Sequence, residues 1–177
     1  YLLFGAVLVE VTFGLPGLGQ TMVTGAVNRD FNVVQGLTLV LVLAVIMINL
    51  LADVLLELAD RGALSLDDPV HVHWPEFAAN GKENVKVVHL MAHTAGLPGW
   101  ERPMKAEDMH DHDLCATALA AQAPWWEPGT ASGYHAISQG YLIGELVKRV
   151  TGVSLGNYFR TTFAEPLGAD FHIGTPA

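Results

Sequence analysis

The chain has few of the residues on which several functional classes depend. It contains one cysteine, Cys115, in 177 residues, so an internal disulfide is excluded. No thiolate-activating motif surrounds Cys115, and we interpret it as a small core residue. Nine lysines and arginines stand against eighteen acidic residues, which gives a net charge of −9. Nucleic-acid binding needs a basic face that releases counterions, so we expect no nucleic-acid partner.

Charge is scarcest near the N-terminus, and residues 31–52 carry none. A helix over this segment is about 33 Å long at roughly 1.5 Å per residue, which is enough to cross a bilayer. A buried core helix is the alternative, but such a helix in a small domain shows a polar stripe, and this segment has none. We therefore predict a transmembrane helix over about 31–52, with membrane lipid as its partner and the membrane as its location.

The composition changes after residue 57, because nearly all lysines, histidines and tryptophans follow that point. Such a shift predicts a boundary between a membrane segment, 1–57, and a second domain, 58–177. Helical periodicity and glycine stops predict mainly α-structure. The predicted helices cover residues 20–28, 54–61, 85–93, 113–123, 137–151 and 154–163. Residues 64–69 read as a turn into an extended piece that carries His71 and His73.

Several motifs in the second part resemble one enzyme family. Residues 89–98 read His-Leu-Met-Ala-His-Thr-Ala-Gly-Leu-Pro, and residues 126–130 read Trp-Glu-Pro-Gly-Thr. Further motifs lie at 60–70, 140–144, 150–152 and 163–168, in the same order as in that family. This part resembles serine β-lactamases of class C and their esterase relatives. The resemblance implies a truncated α+β fold, of which this fragment is the mainly helical region.

The family's chemistry is acyl transfer by a Ser-x-x-Lys pair, with a nearby tyrosine that relays the serine proton. The resemblance places Tyr134 at that tyrosine, and an ordinary half-buried tyrosine is the alternative. The family's usual Tyr-x-Asn is Tyr134-His135-Ala136 here, which removes an amide that would hold a substrate amide. This departure is similar to the carboxylesterase branch, family VIII type. The implied substrate pocket contains Trp126, His135 and Ala136.

The nucleophile of that family is missing. The resemblance places the serine near Val45 and its lysine near Ile48, and both positions are apolar. No serine in the chain has a lysine three residues later, and the chain stops at Ala177, before the family's later Lys-Thr-Gly-type strand and its oxyanion sheet. We expect a catalytically incomplete hydrolase. A triad that uses Ser132 or Ser138 stays open, although the chain has no Gly-x-Ser-x-Gly elbow.

The N-terminal part has a resemblance of its own. Residues 9–13, 15–19, 28–36 and 48–53 are similar to the C-terminal end of a dipeptide/oligopeptide ABC-transporter permease. The similarity covers about 1–55 and includes an outer loop and the last membrane helix of that family. Both families tolerate the residues around Asp53, so the junction of the fusion is expected between residues 53 and 58.

Two histidine patterns suggest metal binding only weakly. His89 and His93 stand four residues apart without the zincin glutamate between them. Residues 110–113, His-Asp-His-Asp, are more typical of a solvated loop that enters a helix, with Asp113 as a cap. We therefore predict no metal and no cofactor.

Three hypotheses remain. The chain is a defective serine hydrolase of the carboxylesterase branch, a membrane component of a peptide ABC transporter, or a non-functional fusion product. A small ester or β-lactam-like substrate is expected only if the missing catalytic parts are supplied.

Overall fold

The structure is a computed structural model that describes residues 10, 12–13 and 16–174. The chain divides into two compact units between Leu50 and Leu51. The described residues are mainly helical, as predicted. The only extended pairing among them is a single antiparallel bridge between Pro69 and Lys86.

The first unit contains helix α1, Leu18–Val27, and most of helix α2, Phe31–Asp60. The Glu10 carboxylate accepts hydrogen bonds from the backbone N–H groups of Gly19, at 2.7 Å, and Gln20, at 3.2 Å. These N–H groups begin α1 and have no partner inside the helix, so a carboxylate there satisfies them and complements the helix dipole. The Asp30 carboxylate accepts a hydrogen bond from the N–H of Val33 and caps the start of α2 in the same way.

Within the part of the chain that the structure describes, no helix meets the combined length and apolarity needed to cross a membrane. The predicted transmembrane helix over 31–52 is therefore not confirmed. The side chains at positions 44, 47 and 48, inside that segment, lie outside the described residues.

The second unit holds the end of α2 and five shorter α-helices. These are α3, Val87–Met91; α4, His112–Ala121; α5, Ser138–Thr151; α6, Leu155–Phe159; and α7, Glu165–Leu167. Three 3₁₀ turns cover Val70–Val72, Pro75–Ala78 and Glu107–His110, and a π turn covers Arg160–Ala164.

Two local predictions differ from this structure. The extended piece predicted for His71 and His73 is wrong, because the Val72 N–H bonds the Pro69 carbonyl and closes a 3₁₀ turn. The single helix predicted over 154–163 is divided between α6 and the π turn that follows it. Alternating side chains form a strand only when the backbone can pair with a neighbouring strand. Here a 3₁₀ turn satisfies the backbone hydrogen bonds locally instead.

Helix α5 organises the second unit, because it packs against α3, α4 and α6. Its buried apolar side chains are Leu142, Ile143, Leu146 and Val147. Burying one such side chain contributes roughly 1.5–3 kcal/mol relative to leaving it in water. The helix ends at Gly152, which adopts the left-handed conformation, φ +79°, that glycine favours at this position. At the other end, the Gln139 amide donates to the carbonyls of Leu90 and Met91, which end α3.

A buried lysine, Lys82, connects its own segment to the end of α4. Lys82 is fully buried, and its ammonium donates to the carbonyl oxygens of Ala79, at 2.6 Å, and Gln122. The same ammonium lies 5.5 Å from the centre of the Phe77 ring. Burial disfavours the charged form and lowers the pKa of Lys82 to about 8, although Glu83 opposes the shift.

This pKa predicts a pH dependence of stability. Between the folded value, about 8, and the ordinary value of 10.5, the unfolded chain binds a proton that the folded chain has released. Stability from Lys82 therefore rises with pH through that window. We expect the free energy of unfolding to rise by about 1 kcal/mol between pH 7 and pH 9, relative to the variant Lys82→Met. Urea unfolding at the two pH values measures this.

The control is Lys105→Met, which removes an exposed lysine and keeps Lys82. Its difference in stability between the two pH values should equal that of the unsubstituted chain. An equal pH dependence in Lys82→Met and the unsubstituted chain would contradict the lowered pKa.

Candidate functional site

The candidate site forms where the segment after α3 crosses the loop between α4 and α5. Gly96 lies at this crossing with φ +77°. A Cβ placed on it would come 2.8 Å from both the Pro124 side chain and the Trp126 carbonyl oxygen, which is closer than atoms tolerate. Glycine is therefore required here for two reasons, its backbone conformation and the close approach of the second segment.

Backbone hydrogen bonds connect the two segments along their length. The N–H of Trp125 donates to the Gly96 carbonyl at 2.8 Å, and the N–H of Gly129 donates to the Thr94 carbonyl at 2.9 Å. The N–H of Gly133 donates to the carbonyl of His93 at 3.1 Å. The loop before Tyr134 is thus held in place by the motif at 89–98.

His135 adds a side-chain connection inside this crossing. Its ring is fully buried, and Nε2 accepts a hydrogen bond from the Leu97 N–H at 3.0 Å. Nδ1 lies 2.5 Å from the Gly133 carbonyl and donates to it, which fixes the neutral tautomer. Burial lowers the pKa of His135, and the bond to Gly133 opposes this only in part.

His93 lies between His135 and Tyr134. Its Nδ1 accepts the backbone N–H of His135 at 3.2 Å, and its ring meets the Tyr134 ring edge to face, with the centres 5.1 Å apart. Burial, and secondarily His135, lowers the pKa of His93, so this imidazole is also neutral near pH 7. The residue has φ +58°, an unusual conformation for a non-glycine residue that the surrounding bonds hold in place.

Tyr134 is half exposed, at 50%. It is the one member of the predicted site that combines a reactive hydroxyl with access to solvent. Ala136 is also exposed and lies in the turn that leads into α5. Ile137, the residue after Ala136, is an exposed apolar side chain as well. The structure therefore leaves Tyr134, Ala136 and Ile137 open to solvent.

The other two predicted pocket residues lie deeper. The Trp126 ring meets the His135 ring edge to face, with centres 6.0 Å apart. A Cβ on Gly133 would come 2.5 Å from the Trp126 ring, so this glycine makes room for the indole. Trp126 Nε1 is buried, and no residue that the structure describes accepts a hydrogen bond from it. Trp126 and His135 therefore pack on the inner side of the loop that carries Tyr134.

One alternative nucleophile, Ser138, is engaged in the fold. Its hydroxyl is buried and donates to the Leu97 carbonyl at 2.6 Å. Sequence reasoning missed the connecting roles of Ser138, Leu97 and Gln139. The signal was weak, because a serine or glutamine at the start of a helix is ordinary and the partner groups are backbone atoms 41 and 49 residues away.

The structure groups the potential metal ligands differently from the two histidine patterns in the sequence. His89 Nδ1 accepts the N–H of Lys86 at 3.3 Å, which turns that nitrogen to the backbone. Over the described residues, one group of three potential ligands comes together: His112, Asp113 and Glu145, with ligand atoms within 4.8 Å of one another. The first two belong to the predicted run at 110–113, whereas Glu145 on α5 was not predicted.

Comparison with known proteins supports both resemblances. The family profile described as Beta-lactamase matches residues 50–177, and that described as Binding-protein-dependent transport system inner membrane component matches residues 1–64. Esterase/beta-lactamase LipL of Mycobacterium tuberculosis is 41% identical over 126 residues, which cover 71% of this chain and 29% of that protein. The chain therefore spans less than a third of LipL.

The crystal structure of a family VIII carboxylesterase is 45% identical with a TM-score of 0.69, over 72% of this chain and 36% of that one. For the N-terminal part, the oligopeptide transport system permease protein OppB of Haemophilus influenzae is 39% identical over 56 residues, 32% of this chain and 18% of that protein.

These matches confirm the predicted resemblance of the C-terminal part to the β-lactamase and carboxylesterase relatives, and of the N-terminal part to a permease. The two profiles overlap over residues 50–64. Because the Beta-lactamase profile covers more than half of the chain and the fold agrees with solved relatives, the chain belongs to the Beta-lactamase family.

Proposed function

We propose that residues 58–177 are part of a serine hydrolase of the carboxylesterase branch, with Tyr134 at the proton-relay position, and that this chain alone is catalytically incomplete. Its likeness to LipL and to a family VIII carboxylesterase supports the branch. The departure from Tyr-x-Asn at Ala136 also favours esters over lactams.

The observation that carries the proposal is the fixed position of Tyr134. The next residue along the chain, His135, is buried and bonded on both ring nitrogens, and the His93 ring packs on the tyrosine itself. The Tyr134 side chain nevertheless stays half exposed. A proton relay needs a phenol held in place and open to a reacting group, because geometry decides proton transfer before pKa does.

The incompleteness rests on the sequence. The positions expected for the nucleophile and its lysine hold Val45 and Ile48, and no Ser-x-x-Lys occurs in the chain. Ser138 donates its proton to a buried carbonyl, so it is not placed as a substitute. A hydrolase of this kind without its serine retains binding and relay groups but has no atom to acylate.

We therefore expect no acyl-enzyme on this chain. Purified protein is treated with a fluorophosphonate probe and, separately, with a penicillin-type probe, and its intact mass is measured. The mass should stay unchanged, because no serine of the chain has a lysine three residues later. The control is a carboxylesterase relative with its Ser-x-x-Lys, which should gain one adduct. A stoichiometric adduct on any serine of this chain contradicts the proposal.

Supplying the missing parts should produce an esterase. Residues 58–177 are inserted between the Ser-x-x-Lys helix and the C-terminal sheet of a carboxylesterase relative. We expect hydrolysis of short p-nitrophenyl esters and little turnover of nitrocefin. Tyr134→Phe should abolish most of the esterase activity, since general acid–base transfer contributes about 10²–10⁴-fold.

The matched control is Tyr141→Phe, which removes a hydroxyl that bonds the Met109 carbonyl and should leave the activity unchanged. Ala136→Asn should raise nitrocefin turnover by up to about tenfold, since one hydrogen bond is worth roughly 0.5–1.5 kcal/mol. Full activity in Tyr134→Phe would show that the role of Tyr134 is wrong. Unchanged nitrocefin turnover in Ala136→Asn would show that the missing amide does not set the preference.

A second candidate function concerns residues 1–57, which we propose as a membrane segment of permease type with a transmembrane helix over 31–52. The permease similarity supports it. The exposure of the helix also favours it, because Leu39, Val40, Leu43 and Ile46 are each more than half exposed. Leucine, valine and isoleucine side chains exposed on one long helix favour its insertion into lipid.

Glycosylation mapping of this segment in microsomes tests the proposal. The unchanged segment should insert, and Val42→Arg should reduce insertion, because a central arginine costs roughly 2.5–3.5 kcal/mol. Val42→Leu is the matched control and should insert as before. Failure of the unchanged segment to insert rules out the span. That result, together with an inactive graft, would leave the third hypothesis, a non-functional fusion product.

A further inference from the structure

A second cluster of reactive side chains lies between α4 and α5. His112 and Asp113 begin α4, and Glu145 lies in the middle of α5. One ligand atom from each lies within 4.8 Å of the other two. Asp113 and Glu145 line a cavity of about 240 Å³ together with Trp74, Lys148 and other residues. The proposed esterase chemistry uses none of these residues.

Glu145 is the unusual member of this cluster. Its side chain is 7% exposed, and its Oε1 accepts a hydrogen bond from Arg149 Nε at 2.7 Å. Its other oxygen, Oε2, is buried and accepts no hydrogen bond from any group in the described chain. Two side-chain nitrogens lie near Oε2, His112 Nε2 at 3.4 Å and Lys148 Nζ at 3.8 Å. A buried carboxylate oxygen with an unused lone pair is costly unless a proton or a cation reaches it.

The His112 ring is held in position to serve as a ligand. It packs on Gly144, where an added Cβ would come 2.9 Å from the ring, and it lies 5.7 Å from the Tyr141 ring centre. Its Nε2 points to Glu145. Glycine at 144 is therefore explained by the imidazole that lies over it. A ring held in one orientation by packing loses less conformational freedom when it binds a ligand.

We propose that His112, Asp113 and Glu145 bind a divalent transition cation of the zinc type. Zinc takes imidazole nitrogen and carboxylate oxygen at about 2.0–2.2 Å, in tetrahedral sites that water can complete. Ligand atoms on one such ion lie about 3.3 Å apart, so small side-chain rotations bring the three atoms together. Arg149 on Oε1 orients the Glu145 carboxylate and leaves Oε2 for the metal.

Lys148 is the built-in competitor. Its ammonium donates to Asp113 Oδ1 at 2.7 Å and lies close to Glu145 Oε2, where it neutralises the same two carboxylates that a metal would use. Its side chain is 43% exposed, so it can turn outward when a cation enters. Removing this ammonium should therefore strengthen metal binding. If Lys148 served only to stabilise the fold through its ion pairs, its removal would leave metal binding unchanged or weaker.

The test is a zinc titration of the metal-free full chain, kept in detergent, by competition with a chromophoric chelator. We expect one zinc per chain, a rise in melting temperature, and no equivalent effect of Mg²⁺, which prefers oxygen ligands alone. His112→Ala should weaken zinc binding at least tenfold, and the matched control His110→Ala should leave it unchanged. Lys148→Met should tighten it by about tenfold.

Glu145→Gln keeps the shape of the side chain and should also weaken zinc binding, which guards against a folding defect in one variant. Equal affinity in His112→Ala and the unsubstituted chain would overturn the proposal, because zinc would then bind elsewhere. Unchanged or weaker binding in Lys148→Met would also overturn it. No binding of zinc to the unsubstituted chain would do the same.

Discussion

The arrangement around Tyr134 depends on two buried imidazoles that remain neutral. His135 donates to Gly133 and accepts from Leu97, and His93 accepts from the N–H of His135. The His135 ring thus connects two backbone groups, and the His93 ring satisfies a third, which would otherwise lack hydrogen-bond partners. Because burial lowers both pKa values, neither ring carries a charge that the interior would have to compensate.

Helix α5 links that arrangement to the rest of the unit. Its first turn holds the motif through Ser138 and Gln139, and its middle supplies the apolar core. The same helix carries Glu145, whose carboxylate faces α4. One helix therefore positions the candidate catalytic loop at its start and one of the proposed metal ligands, Glu145, about two turns further along.

The sequence predicted the family, the mainly helical character and most helices, because these follow from periodicity, glycine stops and motifs of fixed spacing. Helix bounds moved by a few residues, as at α4, which begins at His112 because Asp111 caps it. The role of Glu145 was not predictable, since a glutamate on an amphipathic helix reads as a solvated residue until the fold buries it. The same holds for Lys82, because one of its two carbonyl partners, Gln122, lies 40 residues away in the sequence.

The motif at 89–98 has a structural role in this fold, because it hydrogen-bonds to the loop between α4 and α5. His93, Thr94, Gly96 and Leu97 hydrogen-bond to the neighbouring loop. The fold itself therefore requires two of these residues, His93 for its ring nitrogen and Gly96 for its backbone conformation and close approach. Loss of the Gly96 conformation or of the His93 ring would remove contacts on which this part of the fold depends, whether or not a nucleophile is present. In genome surveys, this motif therefore reports an intact architecture, and only the Ser-x-x-Lys pair reports an enzyme that can turn over.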